Sequence, residues 1–149
     1  MENYDSLKLE NQLCFPLYAA SREVIKQYRP FLDALDLTYT QYIAMMVLWE
    51  EKQVSVRDLG KKLFLDSGTL TPVLKSLEAK GYITRRRSTE DERVLIAQIT
   101  PAGGKLRDDA LAVPGKVAGC IRLEREEALL LHRLLYKILH GGVEAPEQG

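Results

Sequence analysis

The chain has 149 residues, about one domain's worth, and its 21 Lys and Arg offset 21 Asp and Glu to a net charge of zero. That balance argues against a chain-wide polybasic binder and against an acidic disordered tail. Hydrophobic residues at 46% and charged residues at 28% are ordinary for a globular protein with a real core. No apolar run approaches the roughly 18 residues of a membrane helix, and residues 1–10 are polar, unlike a signal peptide. Cys14 and Cys120 are too few for a disulfide-rich secreted scaffold, so the expected setting is the cytoplasm, with reduced thiols. His132 and His140 lack the ligand spacing of a metal site, so no metal, cofactor or membrane is expected.

Leu9, Leu13, Leu17, Ala20, Val24, Tyr28 and Leu35 recur at helical spacing and predict one long amphipathic helix. Pro16 is tolerable only in a first turn, so the helix begins near Cys14, or begins at Asn11 and kinks. Arg29-Pro30 predicts a second bend. Thr38 caps a second helix, Tyr39 to Glu51. Ser55, with Asp58 three residues on, opens a short helix reaching about Leu63. Asp66-Ser67-Gly68 turns the chain into another helix running to Lys80, with Gly81 just beyond its end. Two short helices joined by a tight turn, ahead of strands, are the helix-turn-helix plan.

Tyr82–Arg87 and Val94–Thr100 read as a β-hairpin with a charged tip, a wing. Thr100-Pro101 starts a helix that Gly103-Gly104 weaken and Val113-Pro114-Gly115 break. Glu124–Leu139 is helical, and Gly141–Gly149 reads as a frayed end. Leu129, Leu130, Leu131, Leu134, Leu135, Ile138 and Leu139 are more apolar surface than one neighbour covers. A helix this apolar must be buried somewhere, which predicts a homodimer with interleaved end helices.

Charge is unevenly placed. Residues 1–50 carry 4 basic and 7 acidic groups, residues 51–107 carry 12 and 7, and residues 108–149 carry 5 and 7. The net +5 of the middle segment coincides with the helix-turn-helix and wing. This predicts double-stranded DNA as a partner. Ser67, Thr69, Thr71, Pro72 and Lys75 would face base edges in the major groove. Arg85, Arg86, Arg87 and Arg93 would reach phosphates or the minor groove. The bland alternative for the wing tip is a solvated, salt-bridged loop of little energetic weight.

The runs L-D-S-G-T-L-T-P-V-L-K-S-L-E (65–78), G-Y-I-T-R-R-R-S-T-E-D-E-R (81–93) and I-T-P-A-G (99–103) resemble the MarR family of dimeric winged-helix regulators. The opening L-E-N-Q-L-C-F-P-L-Y-A-A-S-R (9–22) is similar to the OhrR-type repressors, which sense organic hydroperoxides through a reactive cysteine. The resemblance covers nearly the whole chain. It implies a mainly α (α+β) fold in a single domain, 1–149: a winged helix-turn-helix at 37–103, and dimerisation and sensing helices at 1–36 and 104–149. It implies a homodimer on a pseudo-palindromic operator, released when an organic hydroperoxide oxidises Cys14. It matches the family's tyrosines near the cysteine to Tyr18, Tyr28 and Tyr39, and places Cys120 where two-cysteine members carry the residue that forms an intersubunit disulfide. Pro16 departs from members with an ordinary helix former at that position.

The chemistry is consistent with the residues. Only a thiolate attacks a peroxide oxygen, and a helix's first turn and tyrosine hydroxyls both favour an anion. Tyr28 lies about 21 Å along the same helix from Cys14, so it would serve only across a dimer. Phe15, Leu17 and Trp49 are candidates for an apolar pocket, or for plain core packing. Two alternatives stay open: a thiol peroxidase enzyme, and a MarR-type repressor of a non-redox phenolic ligand. The reading taken is a regulator, not an enzyme.

Overall fold

The computed structural model describes residues 3–142; the expected fraying of 143–149 lies outside them. The chain divides into two compact units, residues 1–117 and 118–149.

In the first unit, two single 3-10 turns, Asp5–Leu7 and Leu9–Asn11, lead into helix α1, Cys14–Asp33. The helix begins at Cys14 because Pro16 then falls in the first turn, where its missing N–H would have had no partner. It runs on through Pro30 and stops at Asp33, two residues short of Leu35. Helix α2, Tyr39–Glu51, has the predicted bounds. Thr38 and Gln41 close a full capping box: Thr38 Oγ1 accepts from Gln41 N, and Gln41 Oε1 accepts from Thr38 N.

A short strand β1, Gln53–Ser55, follows; the sequence reading has no strand here. Ser55 then caps helix α3, Val56–Leu63, and Asp66 caps helix α4, Ser67–Ala79. Phe64 makes the turn between them in the left-handed region, at φ 55°. The turn folds back on α3 so closely that a Cβ on Gly60 would sit 2.7 Å from Leu65 O. Gly81, at φ 81°, ends α4 as expected.

Strands β2, Ile83–Arg87, and β3, Leu95–Ile99, form the hairpin. The sheet order is β1-β3-β2, all antiparallel, with Val54 opposite Ala97 and Arg85 opposite Ala97 on the other side. Thr100 caps helix α5, Pro101–Ala110, with Pro101 at its first position. Helix α6, Val113–Ala118, begins where the Pro114 break was expected. Helix α5 spans the boundary that the sequence reading drew between 103 and 104, and it lies whole in the first unit. The core gathers Ala44, Met45 and Leu48 of α2, Leu59 of α3, Leu70, Leu74 and Leu77 of α4, and Ile83 and Ala97 of the sheet. This is the mainly helical winged-helix architecture expected from the sequence.

The second unit contains helix α7, Arg125–Lys137, capped through Glu124 and Glu127, and a terminal turn, Ile138–Gly142. Within α7, none of the residues is buried. His132 meets Tyr136 at a tilt, with centroids 4.7 Å apart, and Tyr136 stacks on His140 of the terminal turn at 5.4 Å.

Candidate functional site

Helix α4 presents two faces because its apolar residues repeat at three and four. Leu70, Val73, Leu74 and Leu77 are buried, so Ser67, Thr69, Thr71, Pro72 and Lys75 are left exposed together. The Asp66 carboxylate accepts from Thr69 N at 2.7 Å and fixes the start of the helix. That bond, the largest cause, holds the Asp66 carboxyl below its ordinary range. Thr71 Oγ1 donates back to Ser67 O at 2.7 Å. The hydroxyl is spent on its own helix, and the exposed face is a row of small groups ending in one cation.

The wing sorts its arginines. Arg86 and Arg87 are exposed, and Arg86 Nη2 donates to Gln53 Oε1 at 3.2 Å. Arg93 is exposed at the tip, where Asp91 accepts from its Nε at 3.1 Å and its Nη2 at 3.2 Å. The salt-bridged loop is therefore present in part, as a fork that holds one planar guanidinium out in solvent. Arg85 differs. Its side chain is only 19% exposed, and its Nη2 donates to Glu78 Oε1 at 3.1 Å. The sequence reading grouped Arg85 with the DNA-facing arginines, whereas the structure ties it to α4. Between the start of α3 and the wing, Arg57, Lys61 and Arg93, with Asp58 and Asp91 beside them, line a groove of about 850 Å³.

Cys14 is the first residue of α1, exposed, in a helix start with no side-chain cap. The polar residues before it stitch the lead-in. Asn11 Nδ2 donates to Asp5 O at 2.7 Å, and Gln12 Nε2 donates to Ser6 O and Lys8 O at 2.7 and 2.8 Å. The sequence reading gave Asn11 as an alternative helix start and Gln12 only within a motif; their side chains instead hold the two turns before α1 together. Tyr18, one turn on, is exposed, and its Oη accepts from Arg22 Nη1 at 3.2 Å.

Tyr28 and Tyr39 stand elsewhere, in an aromatic cluster with Tyr42 and Trp49. Tyr28 meets Tyr39 edge-on at 5.0 Å and Tyr42 at 5.9 Å, and Tyr42 meets Trp49 at 6.3 Å. Burial raises the Tyr28 hydroxyl pKa; burial, then the neighbouring Tyr28, raises that of Tyr39. Both therefore remain neutral hydrogen-bond donors at physiological pH. Phe15 and Trp49 line separate hollows: Phe15 faces Lys8, Leu9 and Glu10, while Trp49 shares a cleft of about 290 Å³ with Tyr42, Met46 and Arg107. Trp49 is also a core anchor, its Nε1 donating to Gly103 O at 2.8 Å. Cys120 is an exposed thiol in the second unit. Among the described residues no helix is long and apolar enough to cross a membrane, and no cluster of metal-ligating groups occurs.

The family model described as transcriptional regulator SarA/Rot matches residues 26–110. The organic hydroperoxide resistance transcriptional regulator of Bacillus subtilis (strain 168) is 49% identical over 140 residues, 93% of this chain and 95% of its own. Among solved structures, reduced AbfR bound to DNA superposes with a TM-score of 0.74 at 34% identity, covering 91% of this chain and 96% of that one. Disulfide-formed AbfR superposes with a TM-score of 0.65 at 33% identity, covering 91% and 93%. With the family model spanning more than half its length and a regulator of nearly half-identical sequence aligned almost end to end, the chain is a member of the MarR-type winged-helix transcriptional regulators.

Proposed function

We propose that the protein is a redox-sensing repressor that binds operator DNA as a homodimer and releases it when an organic hydroperoxide oxidises Cys14. The observation that carries this reading is the placement of Cys14, an exposed thiol opening an uncapped α1. The B. subtilis relative's role in organic hydroperoxide resistance supports the effector, and AbfR, solved both reduced on DNA and disulfide-formed, offers a parallel for the switch.

The Cys14 thiolate attacks the distal peroxide oxygen; the O–O bond breaks, the alcohol leaves with a proton from solvent, and Cys14 becomes a sulfenic acid. The thiolate of Cys120 of the partner subunit then attacks that sulfur, the S–O bond breaks, and hydroxide leaves and takes a proton from solvent to become water, giving the disulfide. Its formation needs the two Cα atoms within about 7 Å, so helices that start farther apart must shift. Half-sites on DNA lie roughly 34–36 Å apart, and a shift of a few ångströms misplaces one α4 against its groove. Tyr18 serves the thiolate from its own helix, and Tyr28 and Tyr39 serve it across the dimer. The exposed apolar residues Leu13, just before α1, and Phe15 and Leu17 on it, with Leu129, Leu130 and Leu134 on α7 and Leu139 in the turn after it, are the surfaces the dimer covers. Ser67, Thr69, Thr71, Pro72 and Lys75 read the major groove, and Arg86, Arg87 and Arg93 the backbone and minor groove.

Intact mass before and after one equivalent of cumene hydroperoxide, run beside DNA-binding anisotropy, tests this. Wild type gains a disulfide and loses DNA. Cys14→Ser keeps DNA throughout, and Cys120→Ser stops at the sulfenic acid or a mixed disulfide. Release of DNA from Cys14→Ser as readily as from wild type overturns the sensor role. A full response without any mass change favours a non-redox ligand.

A further inference from the structure

The register of the wing turns alternate backbone N–H groups of β2 away from β3, that of Arg85 among them. Ser88 N donates to Val94 O and Thr100 N donates to Tyr82 O, so those pairs face each other across the ladder. Alternation makes Arg85–Ala97 a non-bonded pair, with the Arg85 N–H turned away from β3. Because β2 is an outer strand, that N–H lies on the open edge of the sheet. The Glu78 carboxylate fills the position: Oε2 accepts from Arg85 N at 3.0 Å, while Oε1 accepts from Arg85 Nη2 at 3.1 Å. One carboxylate near the end of α4 thus grips both the main chain and the side chain of the wing strand. The guanidinium is mostly covered, and its Nε is buried with no hydrogen-bond partner. This arginine is committed inward, on the same side of β2 as the buried Ile83.

We propose that Glu78 and Arg85 are positioning residues for DNA recognition: a clamp that fixes the wing against the recognition helix so that both reach their grooves as one rigid reader. The proposal rests on the DNA-binding reading above and replaces the expectation that Arg85 touches DNA. The physical argument is geometric. The wing tip and the exposed face of α4 are read by different grooves, and a hinge between them would spread the pair over orientations that bind only in part. A planar fork held by a carboxylate and backed by a backbone bond removes that freedom, and Lys cannot reproduce it.

The test uses the full-length reduced protein, with a duplex that wild type selects from a randomised 30-base-pair library and an unrelated duplex of equal length. Affinity is measured by anisotropy across a salt series for wild type, Glu78→Gln, Arg85→Lys and Arg85→Met, with thermal melts confirming that each variant is folded. The expected result is a loss on the order of tenfold for the selected duplex in all three variants. Affinity for the unrelated duplex and the slope of log K against log salt stay at wild-type values. Glu78→Gln is the sharpest arm, because removing a negative charge beside DNA should tighten binding on electrostatics alone. Wild-type or tighter binding by Glu78→Gln overturns the clamp. So does a slope reduced by about one in Arg85→Met and restored in Arg85→Lys, which marks a phosphate contact. If Arg85→Met does not fold, Glu78→Gln and Arg85→Lys decide the matter. If wild type selects no sequence from the library, the DNA reading fails, and the clamp with it.

Discussion

Gly103 and Gly104 are neighbours in the first turn of α5, and the structure assigns them opposite responses to the same mutation. A Cβ on Gly103 would lie 2.2 Å from Tyr82 O and 3.0 Å from Ile99 Cγ1. Relieving that clash moves Tyr82 O by about an ångström, out of its 3.1 Å bond from Thr100 N. The same backbone carries the buried bond from Trp49 Nε1 to Gly103 O and the cap bond from Gly103 N to Thr100 Oγ1. Overpacking costs about 1–3 kcal/mol and a disrupted buried hydrogen bond about 1–3 more, against about 1 kcal/mol regained in helix propensity. Gly103→Ala should therefore lose about 2–4 kcal/mol. Around Gly104 nothing lies within 4 Å of an added Cβ, so Gly104→Ala should gain about 0.5–1 kcal/mol. Urea unfolding at one fixed protein concentration measures both, and at about 2 kcal/mol per molar urea the first midpoint falls by about 1–2 M while the second rises. A Gly103→Ala variant within about 0.5 kcal/mol of wild type, or a Gly104→Ala variant that is weakened, refutes the packing argument.

Two other consequences can be measured alongside. Trp49→Phe removes the donor to Gly103 O and leaves a small void, so it should cost about 2–4 kcal/mol in the same unfolding experiment; a cost below about 1 kcal/mol would show that the bond is not an anchor. The Glu78 carboxyl is held below its ordinary 4.5, first by the Arg85 hydrogen bond. Its stabilisation is complete above that value and is lost as pH falls through the lower folded pKa, so Glu78→Gln should flatten the acid limb of a melting profile below pH 4.5 and leave the neutral region's slope unchanged. An acid limb identical to wild type would contradict the assignment.

Much of the fold was legible because local chemistry and apolar period agreed. Thr38 set the start of α2, and Asp66 and Gly81 bounded α4, so those helices fell where their caps placed them; the Gln41 half of the α2 capping box was not read. Strand β1 was not legible. Gln53-Val54-Ser55 is too short for a period, and its partner Gln98-Ala97-Ile96 lies far along the chain. The exposed face of α4 followed from period alone, since burying Leu70, Val73, Leu74 and Leu77 leaves the small polar residues outside. The tie of Arg85 to Glu78 was not read, because a run of three arginines suggests a single basic patch. The strand period was the available signal: it puts Arg85 on the side of Ile83 and away from Arg86. Tyr18 at one helical turn from Cys14 was readable from spacing, whereas the packing of Tyr28, Tyr39 and Tyr42 into one cluster needed the tertiary fold.

The three-residue strand between α2 and α3 also bears on the order of folding. Ile83 and Ile99 close a 16-residue span when the hairpin forms, while Gln53 and Gln98 close one of 45. The longer closure costs about 0.9 kcal/mol more in chain entropy, and it has nothing to dock on until the hairpin exists. The wing should therefore zip first and be stapled to the helix-turn-helix late, so that Val54→Ala speeds unfolding and leaves the folding rate nearly unchanged; an equal slowing of folding in stopped-flow kinetics would place β1 in the nucleus instead.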